Sequence, residues 1–440
     1  MGGEETRTAI AAAQRAFPEW SKLLPKDRSK ILRRWFDLIT EHTEELARLL
    51  TQEQGKPLTE ARSEIAYGAS FVEFFAEEAK RLYGETIPSH KLDARVVVIR
   101  QPLGVVAAIT PWNFPMAMIA RKIAPALAAG CTVVCKPAGE TPLSALALAE
   151  LAQQAGLPPG VLNIITTSQS AVVGEELTAN PWVRAITFTG STEVGKRLMR
   201  QAAGTVKKVA LELGGNAPFI VFDDADLDKA AQGLIVSKFR NMGQTCVCAN
   251  RVFVQDGVFD AFTAKLKLEV NKLKLGNGLE SGVTQGPLIN VRAIQKVERH
   301  VLDAVAQGAH LVMGGKPAAL GGTFYEPTVL TGVTPHMLMM QEETFGPVAG
   351  LVRFSTEDEV IRLANATPFG LATYFYARDI GRVWRVAEAL EAGMVGINEG
   401  MISTETVPFG GVKESGFSRE GSRHGLDEFV SMKYMLMGGL

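Results

Sequence analysis

Three side chains in this sequence could together make and break a bond to carbon. Cys246 ends the run Gly243-Gln244-Thr245-Cys246. A glycine placed just before a cysteine allows a tight backbone and close approach by a ligand, and a thiol that loses its proton is a nucleophile. Glu212 lies between Leu211 and Leu213 and is followed by Gly214-Gly215. A partly desolvated carboxyl at such an apolar strand end has a raised pKa suited to general base work. Asn113 sits in Pro111-Trp112-Asn113-Phe114-Pro115, where the flanking prolines would hold its amide rigidly as a donor to an oxyanion. Each has an ordinary alternative when taken alone: a core cysteine, a solvated acid, an N-cap asparagine.

A second group could hold phosphate. The stretch from Phe188 to Gly195 (Phe-Thr-Gly-Ser-Thr-Glu-Val-Gly) joins a strand to a helix, and the free N–H groups of such a helix start attract anions. It departs from the standard dinucleotide fingerprint. Lys136, in Lys136-Pro137-Ala138, lies just past another strand and could meet a ribose or phosphate. No cluster with metal-ligand spacing stands out, so no metal is expected.

The four cysteines are Cys131, Cys135, Cys246 and Cys248, too few for a disulfide scaffold. The first pair flanks an apolar run and reads as core. On extended backbone Cys246 and Cys248 would face the same side. A bridge between them would be strained and easily reduced.

These residues need elements to position them. The chain has 440 residues, 46% hydrophobic and 21% charged, with formal charge −1, an ordinary globular composition. The balanced charge offers no reason to expect nucleic acid or an anionic membrane as partner. The N-terminus has no signal-peptide pattern, and the longest apolar run, 123–135, is too short to span a bilayer. A reducing cytoplasm is the expected location. The first ~90 residues read as helices over 4–20, 26–54 and 59–83, by pattern. From Leu103 short apolar strands alternate with helices up to Leu213, and a second such run follows from Ala217 to about Asn398. That pattern predicts two doubly wound, parallel α/β units. Strand character also marks Asp93–Gln101 and the tail Phe429–Met437.

The ordered set Pro-Trp-Asn-Phe-Pro, Lys-Pro-Ala, Phe-Thr-Gly-Ser-Thr, Glu-Leu-Gly-Gly, Gly-Gln-Thr-Cys, Glu342-Glu343-Thr344-Phe345-Gly346-Pro347 and Pro408-Phe409-Gly410-Gly411 resembles the aldehyde dehydrogenase superfamily over essentially the whole chain. The finer pattern from Phe239 to Arg251, with Asn216 to Asp226, is similar to its succinate-semialdehyde dehydrogenases. The resemblance implies an aldehyde dehydrogenase-like α/β fold. An NAD(P)-binding domain would take 1–92 and 103–214, a catalytic domain 215–425, and oligomerisation strands 93–102 and 426–440. It implies Cys246 as nucleophile, Asn113 with the Cys246 N–H as oxyanion site, and Glu212 as activator of water. Cofactor contacts are implied at Thr110, Trp112, Lys136, Gly139, Glu140, Gly190, Ser191, Gly195, Glu343 and Phe345. Arg121, Arg240 and Ser403 match the residues that bind the substrate carboxylate, and some members use the pair equivalent to Cys246 and Cys248 as a redox switch.

The implied reaction oxidises succinate semialdehyde to succinate, with glutarate semialdehyde as the alternative within the class. NADP is preferred over NAD in this reading. Members that prefer NAD often carry a glutamate where Gly139 stands, and a glycine does not repel a 2′-phosphate; the neighbouring Glu140 could still intrude. A homotetramer or homodimer is expected. The family's usual N-terminal hairpin has no counterpart before the first helices, which keeps an inactive cofactor-binding scaffold as the alternative from another class. Retention of Glu212 favours water over coenzyme A as acyl acceptor.

Overall fold

The computed structural model describes residues 1–440. Four helices open the chain: Gly3–Lys22, Pro25–Glu41, Thr43–Gln54 and Leu58–Glu78. The expected helix over 26–54 is two helices meeting at His42, where no proline or glycine announces the break. The strand-helix alternation that follows builds a five-stranded parallel sheet in the order Leu162–Ile164, Thr132–Lys136, Val105–Ile109, Val183–Thr189, Lys208–Glu212. Its central strand, Val105–Ile109, is buried at every position, as parallel strands covered on both faces must be. Helix Ala117–Ala129 is likewise buried throughout and stops at Gly130, in the left-handed region at φ +97°.

In this order the chain reverses direction across the sheet between Val105–Ile109 and Val183–Thr189. In open α/β sheets the ligand crevice lies beyond the strand C-termini at such a switch point. Those two C-termini carry Thr110-Pro111-Trp112-Asn113 and Gly190-Ser191.

The second α/β unit is a seven-stranded sheet: His310–Met313, Thr328–Thr331, Val348–Phe354, Ala249–Gln255, Ala217–Val221, Ala372–Tyr376 and Met394–Ile397. Only the edge strand His310–Met313 runs antiparallel. Strand Thr328–Thr331 was not foreseen, being four residues between loops. A third sheet is antiparallel and pairs Ala94–Pro102 with both Glu85–Ile87 and Val430–Gly438. The tail boundary therefore needs correction. Arg423–Phe429 is a 3₁₀ helix whose Gly425, Leu426 and Phe429 are buried, and the strand begins at Val430. Buried apolar positions there anchor the turn to the core before the chain leaves it. No helix is long and apolar enough to cross a membrane.

Candidate active site

Cys246 is presented by an unusual stretch of backbone. Helix Leu227–Leu234 loosens into a π-turn over Ile235–Phe239, then a short turn over Arg240–Gly243. Asn241, Met242 and Gly243 are all in the left-handed region, at φ 51°, 57° and 72°. Such strain persists only where surrounding contacts over-determine it, and they do here. The Asn241 N–H donates to the Glu60 carboxylate at 2.9 Å, and its Oδ1 accepts from Gln54 at 3.0 Å. Its Nδ2 donates to the Asn113 carbonyl at 3.0 Å. Gly243 has no substitute: a Cβ there would lie 2.2 Å from the Gly346 carbonyl oxygen.

Cys246 and Val247 then form a turn, closed by the Cys248 N–H donating to the Thr245 carbonyl at 3.1 Å. This corrects the expectation of extended backbone with both cysteines on one side. The Cys248 sulfur is buried against Lys238, whose Nζ lies 3.4 Å away, and all four cysteines are free thiols.

The Asn113 amide is fixed beside the loop that carries Cys246. Its Nδ2 donates one hydrogen to the Gln244 carbonyl at 3.0 Å, two residues before Cys246, and keeps a second. Its backbone carbonyl accepts from the Lys56 ammonium at 2.7 Å. Lys56 is buried, pairs with Glu64 at 2.5 Å and sits over the Phe114 ring at 3.9 Å. Glu64 in turn accepts from the Met116 and Ala117 N–H groups at the start of the buried helix.

Two cavities meet at the sulfur. The larger, about 340 Å³, is lined by Trp112, Gly190, Ser191, Lys296, Glu343 and Phe345 among others. The smaller, about 30 Å³, is lined by Tyr67, Met118, Arg121, Arg240, Ser403 and Phe409 among others. Cys246, Asn113 and Thr189 line both. The thiol thus stands between a space at the sheet switch point and a space with two arginines.

The larger cavity has an aromatic wall, an unpartnered hydroxyl and a buried acid. Phe345, at φ 54°, packs edge-on against Trp112 with ring centres 5.5 Å apart. The buried Thr189 hydroxyl has no partner in the protein. A Cβ on Gly190 would strike the Phe188 ring at 2.3 Å, so only glycine leaves this wall clear. Ser191 caps helix Thr192–Ala202 by accepting from the Val194 N–H at 3.4 Å. Burial pushes the Glu343 carboxyl up to about 7, against the pull of Lys296.

Not every expected cofactor residue lines this cavity. Thr110 and Lys136 end neighbouring strands and are joined by a Thr110 N–H to Lys136 carbonyl bond of 3.1 Å. Gly139 and Glu140 are exposed beyond them. Gly195 is buried under Leu213, whose side chain a Cβ would meet at 2.4 Å, so it serves helix packing. Lys296 and Arg292, on helix Val291–Ala306, line the cavity and were missed; nothing near them in sequence marks them.

In the smaller cavity Arg121 is buried, lies over the Phe409 ring at 4.2 Å and pairs with Glu420. Burial, the largest single effect, opposes its charge, but Glu420 together with Tyr67, Glu212 and Cys246 outweighs it and holds the guanidinium above its ordinary value. Its Nη2 has no partner. Arg240 is half-buried, reaching over Phe114 at 5.3 Å and donating to the Met401 sulfur at 3.1 Å.

Glu212 ends its strand as expected but lines neither cavity. It lies behind the wall, with Oε1 accepting from Ser418 at 2.9 Å and Oε2 unpartnered. Burial first, then the nearby Glu420, pushes its carboxyl up to about 8. Glu420 itself is paired with Arg121 and Lys122, which hold it below its ordinary value despite burial. Burial pushes the Cys246 thiol up to about 12, against the pull of Arg121.

Comparison with known proteins bears on the whole arrangement. Residues 1–435 match the model of the aldehyde dehydrogenase family. The chain is 62% identical over 440 residues to a glutarate-semialdehyde dehydrogenase of Pseudomonas aeruginosa, covering all of this chain and 91% of that protein. It is 61% identical over 438 residues to the NADP(+)-linked succinate-semialdehyde dehydrogenase of Escherichia coli, again with 100% and 91% coverage. The solved succinate-semialdehyde dehydrogenase of Burkholderia pseudomallei superposes with TM-score 0.99 at 61% identity, covering 100% of this chain and 91% of that one. The chain belongs to the aldehyde dehydrogenase family and is an NAD(P)-dependent oxidoreductase.

Proposed function

We propose that this chain oxidises aldehydes that carry a carboxylate at the far end. Succinate semialdehyde, giving succinate, is the first substrate, and glutarate semialdehyde, one methylene longer, is the alternative. A single methylene discriminates by only ~1–3 kcal/mol, so both are expected to react. The observation that carries the reading is the placement of Cys246 and Asn113 on both cavities, with Arg121, Arg240 and Ser403 lining one of them. The names of the relatives support the same pair of substrates.

Cys246 attacks the aldehyde carbon as its thiolate, the thiol proton passing out to solvent water through the larger cavity as the bond forms. The second Nδ2 hydrogen of Asn113 and the Cys246 N–H receive the oxygen that gains charge. Glu343, Phe345 and Trp112 would hold the nicotinamide end of NAD(P). That group, when bound, supplies the acceptor for the hydride of the aldehyde carbon. Glu212 then takes a proton from the water that cleaves the thioester. Its unpartnered Oε2 takes that proton through an intervening water while Oε1 keeps its bond from Ser418. Glu420, paired with Arg121 and Lys122, sets the charge around it.

NADP is the preferred cofactor in this reading, with NAD accepted: the exposed Gly139 leaves room for a 2′-phosphate. The exposed edge strand Val430–Gly438, with Met432, Tyr434 and Leu436 outward, supports assembly into a dimer or tetramer. A regulatory Cys246–Cys248 bridge would require the Thr245–Cys248 turn to open. Initial rates with succinate and glutarate semialdehydes, each with NADP and NAD and with and without coenzyme A, test the function. Turnover with NADP and water is expected; failure to oxidise either aldehyde would overturn the proposal.

A further inference from the structure

We propose that the Tyr67 hydroxyl is a donor to the far carboxylate of the substrate and thereby a determinant of specificity for anionic aldehydes. The inference rests on the function proposed above and adds a residue to its binding site.

Tyr67 stands on helix Leu58–Glu78, far in sequence from every motif that marked the site. Its side chain lines the small cavity beside Cys246 and also an outer cavity of about 250 Å³. Phe114 and Arg240 are the other two residues common to both, so the three side chains form the neck between them. The Tyr67 ring packs edge-on against Phe71, with centres 5.0 Å apart, which holds it in place at this neck.

That hydroxyl is inaccessible to solvent and has no hydrogen-bond partner in the protein. Buried tyrosine hydroxyls ordinarily find one. The Arg121 guanidinium is next to it, and its Nη2 is orphaned in the same way. Arg121 can only donate, so any contact it makes with the Tyr67 oxygen still leaves the hydroxyl hydrogen without an acceptor. What completes both is an acceptor with several lone-pair sites entering the small cavity, and a carboxylate is such a group. An aldehyde ending in a methyl group would leave both donors buried and unpaired, which is how a polar site rejects an apolar analogue. Burial raises the tyrosine pKa against the pull of Arg121, so the group stays a donor across the working pH range.

The test is Tyr67→Phe, which keeps the ring and the neck. Because the hydroxyl has no partner in the free protein, its removal should not lower Tm; a marked drop would assign it a structural role and overturn the inference. The decisive readout is the ratio of kcat/KM for succinate semialdehyde to that for butanal, a neutral aldehyde of equal length. A hydrogen bond to a charged group implies that this ratio falls roughly 10- to 100-fold in the variant, through KM more than kcat. An unchanged ratio, in an enzyme whose wild type prefers the anionic aldehyde, would overturn the role of Tyr67 alone. A wild type without that preference would overturn the substrate reading, and the inference with it.

Discussion

Ser418 offers the sharpest handle on the base role proposed for Glu212. Its hydroxyl proton lies between two acceptors, Glu212 Oε1 at 2.9 Å and the Leu211 carbonyl at 3.3 Å, and the carboxylate is the nearer. A hydrogen bond to a charged acceptor is worth ~1.5–3 kcal/mol and one to a neutral acceptor ~1 kcal/mol. Removing it by Ser418→Ala therefore costs the ionised form ~0.5–2 kcal/mol more than the protonated form. At 1.36 kcal/mol per unit this raises the Glu212 pKa by about one unit. The wild-type carboxyl stands at about 8, so it is half ionised there, while the variant would be about one-tenth ionised. If Glu212 is the base, kcat at pH 8 falls about fivefold in Ser418→Ala and recovers towards wild type as pH rises. The assay is a pH profile of kcat from pH 6 to 10 by nicotinamide absorbance. An unmoved midpoint, or a loss of equal size at every pH, would refute both the hydrogen bond's role and the assignment of the titrating group.

Three further outcomes follow from the same contacts. Burial raises the folded-state pKa of Glu212 above its unfolded value, so its contribution to stability is full at acid pH and is lost as pH rises through about 8; the Tm of Glu212→Gln should gain on wild type between pH 6 and pH 9 in thermal melts. Asn113→Ala should lower kcat by ~10²–10³ with a much smaller change in KM, as loss of one oxyanion donor does, read from steady-state kinetics. Lys56→Met leaves the buried Glu64 without its cation; breaking such a pair costs about 3–5 kcal/mol, visible as a lower denaturant midpoint.

The parts of the site that lie on short local motifs were legible from residue types. Asn113 and Cys246 each stand in a run with glycine or proline around it, whereas Glu343 and Phe345 were reached only through the family resemblance; the structure brings all four to one cavity. The two parallel sheets were legible because strands buried on both faces are written as unbroken apolar runs. Tertiary partners were not. Lys122 and Glu420 are paired across 298 residues, and Tyr67 reads as one aromatic on an amphipathic helix. The Cys-Val-Cys run was misread for a physical reason. Alternation implies extended backbone, but the left-handed Asn241-Met242-Gly243 segment feeds the chain into a turn, and only Gly243 advertises it. Glu212 was found at its strand end, while its retreat behind the cavity wall depends on Ser418 and Glu420, which no local pattern connects to it.

The central claim is that the aldehyde carbon becomes bonded to Cys246 and that Glu212 releases it. Glu212→Gln mixed rapidly with succinate semialdehyde and NADP should give about one equivalent of reduced cofactor per chain and then stall. Peptide mass mapping of the quenched sample should find the acyl group on the peptide carrying Cys246. Steady turnover at the wild-type rate, or an acyl group on any other residue, would contradict the account.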